Sequence, residues 1–341
     1  MSAHEDGRGR VVLGGSTGFI GQDLARRWRA AGREVVTISR HDADLSWDDQ
    51  SGIDAAVDGA GLVVGLAGRS VNCRYTPANR AEIFRSRERT TAALHTAIGR
   101  AATPPPLWVN SSTATIYRHA EDRAQTEASG EPGTGFSAEV AKAWERALFA
   151  GDLPGTRRVA LRTAIVLGDG GVLGTLRTLA RFGLGGTQYD GHWPVGRARR
   201  EAGTAHDFRT RGGRQRFSWV HLDDVAGIIA FLEDHPALEG PVNVVAPGAS
   251  DNRTLMATIR RALDVPFGLP QPRWMLELGA IGIRTETELI LKSRWAAPEK
   301  LLAAGYAFAH PDLDEAVRAS FGLGAAPSRD PDPLPSRRES L

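Results

Sequence analysis

The stretch RVVLGGSTGFIG, residues 10–21, restricts this chain more than any other. A short β-branched run ends in glycines, and beyond them Leu24, Trp28 and Ala31 recur at helical spacing before Gly32. The pattern predicts strand, turn and helix. REVVTISR at 33–40 then reads as a second buried strand, completing a β-α-β unit of about 30 residues. Gly15, Gly18 and Gly21 punctuate the turn: one allows the tight bend, one lets backbone approach a diphosphate, and one lets the helix pack closely on the strand. The free N–H groups of the helix N-terminus complete an anion site. In a chain with 39 glycines such spacing alone is common, so the strand and helix around it carry the dinucleotide reading.

A ribose with a free 2′-hydroxyl calls for a carboxylate at the end of the second strand. Here that strand ends in Ser39-Arg40, a hydroxyl and a guanidinium, which suit a 2′-phosphate, so the expected cofactor is NADP, as NADPH. LVVGLAG at 62–68 and PLWVNSST at 106–113 are further apolar runs ending in small residues. Their alternation with helical segments predicts an α/β fold, a Rossmann-like doubly wound parallel sheet. Ligands bind such sheets at the carboxyl ends of the strands, which places Leu66, Ala67, Gly68, Ser111, Ser112 and Thr113 on the cofactor side.

Ile83, Ala93, Leu94 and Ile98 mark a long amphipathic helix with its arginines on the wet side. VALRTAIVLGDGGVL at 159–173 reads as one strand running into a glycine turn, and FSWVHLDDVAGIIAFLEDH with GPVNVVAP as a helix and a last strand. Asp223 and Asp224 read as a helix cap and dipole partners rather than metal ligands. His41 and His221 show no partner at ligand spacing, so no metal site is expected.

Composition narrows the partners. The chain is 41% hydrophobic and 24% charged with a net charge of +2, and it has no basic stripe and no apolar run of membrane length, so neither nucleic acid nor membrane is expected. The opening MSAHEDGRGR has charge but no apolar stretch suited to a signal peptide. The single cysteine, Cys73, excludes an internal disulfide and suits a reducing, cytoplasmic address. The expected partner is a small-molecule substrate, with the chain a monomer or homodimer.

GGSTGFIG, RSRERTT at 85–91, FSAEVAKAWE at 136–145, FSWVHLDD at 217–224 and LKSRWAAPEKLLAAGYAFAHPDLDEAV at 291–317 together carry a resemblance. The chain resembles the extended short-chain dehydrogenase/reductase superfamily. Within it, the chain is similar to the NADP-binding nucleoside-diphosphate-sugar-epimerase-like family with a family-specific C-terminal segment. The resemblance implies that Thr17, Phe19, Ile20 and Ile165 join the three glycines around the dinucleotide. It also implies a cofactor domain of residues 10–167 plus 215–246. A smaller, mostly helical substrate lobe would take 168–214 plus 247–323. Residues 187–213 read as an inserted loop, either a lid or plain disorder. Residues 1–9 and the proline-rich 324–341 are expected to be a flexible N-terminus and a disordered tail.

In the superfamily a tyrosine exchanges a proton with the substrate oxygen, and a lysine four residues later lowers its pKa. The four tyrosines here, Tyr75, Tyr117, Tyr189 and Tyr306, are followed four residues on by Asn79, Glu121, Trp193 and His310, so the dyad is absent. The resemblance implies that Ser112 or Thr113 donates to the substrate, with Tyr117 the nearest phenol, an acid or donor rather than a base. Glu139 and Lys142 meet at helical spacing beside an apolar strip of Phe136 and Val140, a pair that is usually surface decoration; the resemblance places this helix beside the nicotinamide and so implies a catalytic or substrate-orienting role for Glu139. Arg74 and Tyr75 are candidates for clamping an anionic or planar substrate, with loop packing as the alternative, whereas Cys73 has no histidine placed to activate it. The expected function is an NADP(H)-dependent oxidoreductase or epimerase-like enzyme acting on a small carbonyl, imine or sugar-type substrate. The alternative, favoured by the missing dyad, is a non-catalytic NADP(H)-binding sensor or scaffold. A sugar-nucleotide epimerase proper is weakened by the lack of a base.

Overall fold

The computed structural model describes residues 8–282 and 285–324. The expected behaviour of 1–9 and 324–341 therefore falls, but for residues 8, 9 and 324, outside the described residues. The first half runs β1 (Val11–Gly14), α1 (Phe19–Ala30), β2 (Val35–Ser39), β3 (Leu45–Ser46), α2 (Gln50–Val57), β4 (Leu62–Gly65), α3 (Pro77–Arg100), β5 (Leu107–Thr113), α4 (Phe136–Phe149) and β6 (Arg157–Thr163). The second half runs β7 (Ile165–Leu167), α5 (Gly171–Arg181), α6 (Arg197–Glu201), β8 (Arg216–Phe217), β9 (Trp219–His221), α7 (Leu222–Asp234), β10 (Gly240–Val244), β11 (Ser250–Asp251) and α8 (Asn252–Ala262). It closes with α9 (Arg273–Gly282), α10 (Glu288–Leu291), α11 (Glu299–Ala303) and α12 (Leu313–Ser320).

Seven strands form one parallel sheet in the order β3-β2-β1-β4-β5-β6-β10. The chain steps outward from β1 to β3 and then resumes on the other side of β1 with β4. That reversal opens a crevice at the carboxyl ends of β1 and β4, where such sheets take their ligands. Every residue of β1 and β4 is buried because helices cover both faces. Leu24 and Trp28 of α1 and Ile228, Ile229 and Leu232 of α7 pack on one face. Ile53 of α2, Leu94 and Ile98 of α3 and Leu148 of α4 pack on the other. A separate core joins Leu173 of α5, Trp219 of β9, Met256 and Ile259 of α8 and Val317 of α12.

Several expectations need correcting. The single strand expected over 159–173 breaks at Ala164: β6 stays in the main sheet, while β7 pairs with β9 as a two-stranded ribbon. Arg87 is not on the wet side of α3. It is buried, lies 4.7 Å over the Trp144 ring, donates to the carbonyls of Arg69 and Ile83, and has its pKa pushed down to about 10 by burial. Leu301, assigned by sequence to the lobe, is fully buried in the sheet's core with Tyr306 and Phe308 packed against it.

The 187–213 insertion has structure of its own in α6 and is tied down at several points. Gly203 O accepts from Phe136 N at 3.0 Å, and Tyr189 N donates to Gln271 O at 2.8 Å. Among the described residues no helix is long and apolar enough to cross a membrane.

Candidate active site

A cleft of about 350 Å³ opens at the β1/β4 reversal. Gly15, Gly18, Phe19, Ile20 and Gly21 line it together with Leu66, Ser111 and Ile165. Eight residues chosen from sequence as cofactor contacts thus meet in one place, joined by Val166, Gly171 and Val172, which sequence reasoning did not select.

Two glycines there are required by geometry. Gly15 has φ +85°, and a Cβ on it would stand 2.8 Å from Ala67 N. A Cβ on Gly21 would stand 2.3 Å from Gly15 O, so only glycine lets α1 lie this close to the turn. Gly18 caps α1 without a side-chain bond, and the first turn carries no acid, which leaves backbone N–H groups and the positive helix end for an anion. This cradle fits the diphosphate of a dinucleotide. Thr17 and Ser39 share a hydroxyl–hydroxyl bond of 2.9 Å, and Arg40 is exposed just past the end of β2. Ala67 and Gly68 follow β4, the latter packed under Arg87.

Strand alternation divides the hydroxyls of β5. Ser111 faces the cleft. Ser112 turns the other way, is 6% exposed and donates to Glu145 Oε1 at 2.6 Å. Glu145 in turn pairs with Arg162 at 2.7 Å, and Arg162 donates to the Tyr117 hydroxyl at 2.9 Å. That hydroxyl donates to Asn243 Oδ1 at 2.8 Å, and burial holds the phenol above its ordinary pKa despite the cation beside it. Ser112 and Tyr117, expected to serve the substrate, are instead members of an internal polar network beneath the strand ends.

Thr113 remains partly exposed. Its Oγ1 accepts from Thr115 N at 3.2 Å and donates to Thr115 Oγ1 at 3.1 Å. Onto Thr115 converge two cations that sequence reasoning passed over: Arg294 Nε donates to its Oγ1 at 3.1 Å and Lys292 Nζ to its carbonyl at 2.9 Å. Burial pushes the Lys292 ammonium down to about 8, with Glu288 opposing the fall and Arg294 and Lys142 adding to it. The available signal was LKSRW itself, which holds one of three lysines in the chain.

Helix α4 lacks the dyad in space as in sequence. Phe136 and Val140 are buried, and the Phe136 ring lies 4.6 Å from that of Tyr75. Glu139 pairs with Lys142 at 2.8 Å, with half of its side chain exposed, and does not line the cleft. Tyr75 is buried, its phenol pKa is raised by that burial, and its backbone N donates to Glu286 Oε1 at 3.0 Å. Arg74 donates to Thr285 O at 3.0 Å and lies 3.4 Å from Glu286. Both residues therefore hold the C-terminal segment in place, and Glu286 extends that tie to Arg199 of the insertion at 3.2 Å. Cys73 is a free thiol beside Ser70 O.

His221, Asp223 and His310 come within 4.8 Å of one another, a grouping the sequence spacing hid. Asp223 is already engaged by Arg27 and by His310 Nε2 at 2.9 Å, and it sits in the first turn of α7, whose positive end disfavours a cation. His221 is the N-cap, accepting from Asp223 N, and Asp224 accepts from the backbone of Ala309 and His310. These groups fasten residues 306–310 to α7.

The sequence profile of the NAD dependent epimerase/dehydratase family matches residues 11–248, and that of a domain of unknown function, DUF1731, matches 271–320. The chain is 33% identical over 323 residues to the epimerase family protein SDR39U1 of Bos taurus, covering 91% of this chain and 98% of that one. It is 27% identical over 318 residues to the epimerase family protein YfhF of Bacillus subtilis, covering 90% and 96%. The crystal structure of human SDR39U1 (isoform 2) with NADPH superposes with a TM-score of 0.77 at 29% identity, covering 91% of this chain and 98% of that one. A UDP-glucose 4-epimerase from Thermotoga maritima, solved with UDP-glucose, shares the fold at a TM-score of 0.68 and 14% identity, covering 92% and 97%.

Proposed function

The chain belongs to the NAD dependent epimerase/dehydratase family, and on that premise we propose that it is an NADPH-dependent oxidoreductase or epimerase-like enzyme for a small carbonyl, imine or sugar-type substrate. One observation carries the reading: the cleft at the β1/β4 reversal gathers the glycine turn, the unblocked end of α1, Leu66 and Ser111. NADPH, the ligand of the human relative, supplies hydride chemistry when bound. The residues of this chain do the rest. Gly15, Gly18 and the N–H groups of α1 receive the diphosphate, Arg40 with Ser39 and Thr17 meets the 2′-phosphate, and Ser111 and Ile165 border the cleft farther along. The substrate lies beyond the end of β5, between Thr113 and the C-terminal segment.

The test is a fluorescence titration of the full chain with NADPH and NADH. NADPH binds tighter, and Arg40→Glu reverses the order because a carboxylate repels the phosphate and accepts from a free ribose. A charge-assisted bond of about 1.5–3 kcal/mol corresponds to roughly tenfold to hundredfold in affinity. Equal affinities in the unmutated protein would remove the argument from Arg40. The competing sensor reading draws on the apolar Phe136 and Val140 and on the internal engagement of Ser112 and Tyr117. It gains if NADPH binds while a broad carbonyl and imine panel gives no oxidation.

A further inference from the structure

Without the dyad, some other group must meet the substrate atom that gains charge during reduction, and the segment after β5 offers one. Thr115 Oγ1 accepts two hydrogen bonds, from Thr113 Oγ1 at 3.1 Å and from Arg294 Nε at 3.1 Å. A hydroxyl has two acceptor sites and one proton, so only the proton is left to give. It donates to no acceptor among the described residues, and Thr115 is partly exposed. A hydroxyl that accepts from a guanidinium is also a stronger donor.

The two cations add a second observation. Lys292 and Arg294 are 4% and 9% exposed, and among the described residues neither makes an ion pair. Lys292 Nζ spends its bond on Thr115 O, and Arg294 Nη1 donates to Leu289 O. Glu288, the acid that faces them from α10, accepts instead from Ser137 at 3.0 Å. Buried positive charge without a carboxylate partner is costly unless something negative arrives to meet it. Both charges converge on one residue, two positions past the end of β5.

We propose that Thr115 is the hydrogen-bond donor to the carbonyl oxygen of the substrate, positioned and polarised by Arg294 and Lys292 in place of the tyrosine–lysine dyad. This rests on the reading of the chain as an NADPH-dependent enzyme. In the step, the carbonyl carbon receives a hydride with its electron pair from the reduced nicotinamide, and the carbonyl π pair moves onto oxygen. Thr115 keeps its O–H bond while stabilising that oxyanion, and water supplies the proton that completes the alcohol. Loss of one such donor lowers turnover by about 10²–10³-fold.

Lys292 loses its charge as pH rises through about 8. The groups facing it are Glu288 of α10, Arg294 on its own segment, and Lys142 of α4, itself paired with Glu139. His119 and Glu121 also lie close by, bonded to the adjacent Ser293.

The probe is acetate, an oxyanion mimic, added to the full chain saturated with NADP⁺ and read by NMR of ε-¹³C-lysine. Only Lys142, Lys292 and Lys300 give signals, and Lys292→Met assigns the one that titrates near 8. Acetate is expected to shift the Lys292 signal and to bind more weakly above pH 8 in the unmutated chain but not in Lys292→Met. Thr115→Val is expected to weaken acetate at least about tenfold, with NADPH affinity unchanged, and Thr115→Ser to restore it. Acetate binding that ignores Thr115→Val overturns the proposal while leaving the cofactor reading intact. Failure of NADPH to bind overturns both.

Discussion

Glu139 and Glu145 share helix α4 and have different surroundings. Glu139 pairs with Lys142 in water, whereas Glu145 lies against Arg162 and Ser112 with about a tenth of its side chain exposed. Exposed helical pairs contribute a few tenths of a kcal/mol, so Glu139→Gln should shift stability by no more than about 0.5 kcal/mol. Glu145→Gln leaves the Arg162 charge unmatched and should destabilise by about 3 kcal/mol in urea unfolding. Equal losses for the two variants would show that the Glu145 network carries no special weight. The Glu139–Lys142 pair was legible because helical spacing is local. The partners of Glu145 lie 17 and 33 residues away, on strands whose register no periodicity displays. The same distance misdirected the choice of Ser112: its residue type was right for a donor, but strand alternation turns it toward α4.

At the scale of elements, the β1–α1 turn works because a helix and a strand approach more closely than a side chain allows. A methyl at Gly21 meets Gly15 O at 2.3 Å and Ser16 Cα at 2.9 Å, both backbone, so neither can step aside cheaply. Gly21→Ala should therefore cost about 1–3 kcal/mol and, by tilting the N-terminus of α1, weaken NADPH more than about tenfold. Gly18→Ala, whose Cβ has only Gly15 O near it at 3.4 Å, should leave the melting temperature nearly unchanged. A Gly21→Ala protein that melts and binds like the parent would contradict the close-packing account. The insertion is the contrasting case. Its length and glycine content suggested a lid or disorder, yet its carbonyl at Gly203 caps the start of α4 and its Arg199 reaches Glu277 and Glu286. Those partners come from three other parts of the chain, which composition cannot reveal.

Over the whole molecule, burial is the leading cause that holds His119, His206 and His221 below the ordinary imidazole pKa. The unfolded chain releases those rings to water, so it binds more protons than the folded one once pH falls through about 6.5. Stability is full above that value and is lost below it. The urea midpoint should accordingly be lower at about pH 5.5 than at about pH 7.5, and an unchanged or higher midpoint would count against neutral buried rings. The C-terminal segment contributes to the main core. Leu301 is fully buried against the sheet, and Leu301→Ala should destabilise by about 2–5 kcal/mol in the same assay. The amino-acid sequence alone determined the glycine turn, the run of buried parallel strands and the cofactor side of the sheet. Each of these is written in residues a few positions apart, where steric and hydrophobic periodicity act. Only the tertiary structure decided which hydroxyl beyond β5 keeps its proton to give and which cations attend it. Lys292 reaches Thr115 across 177 residues of chain, and a contact of that kind is set by how the C-terminal segment packs over the strand ends.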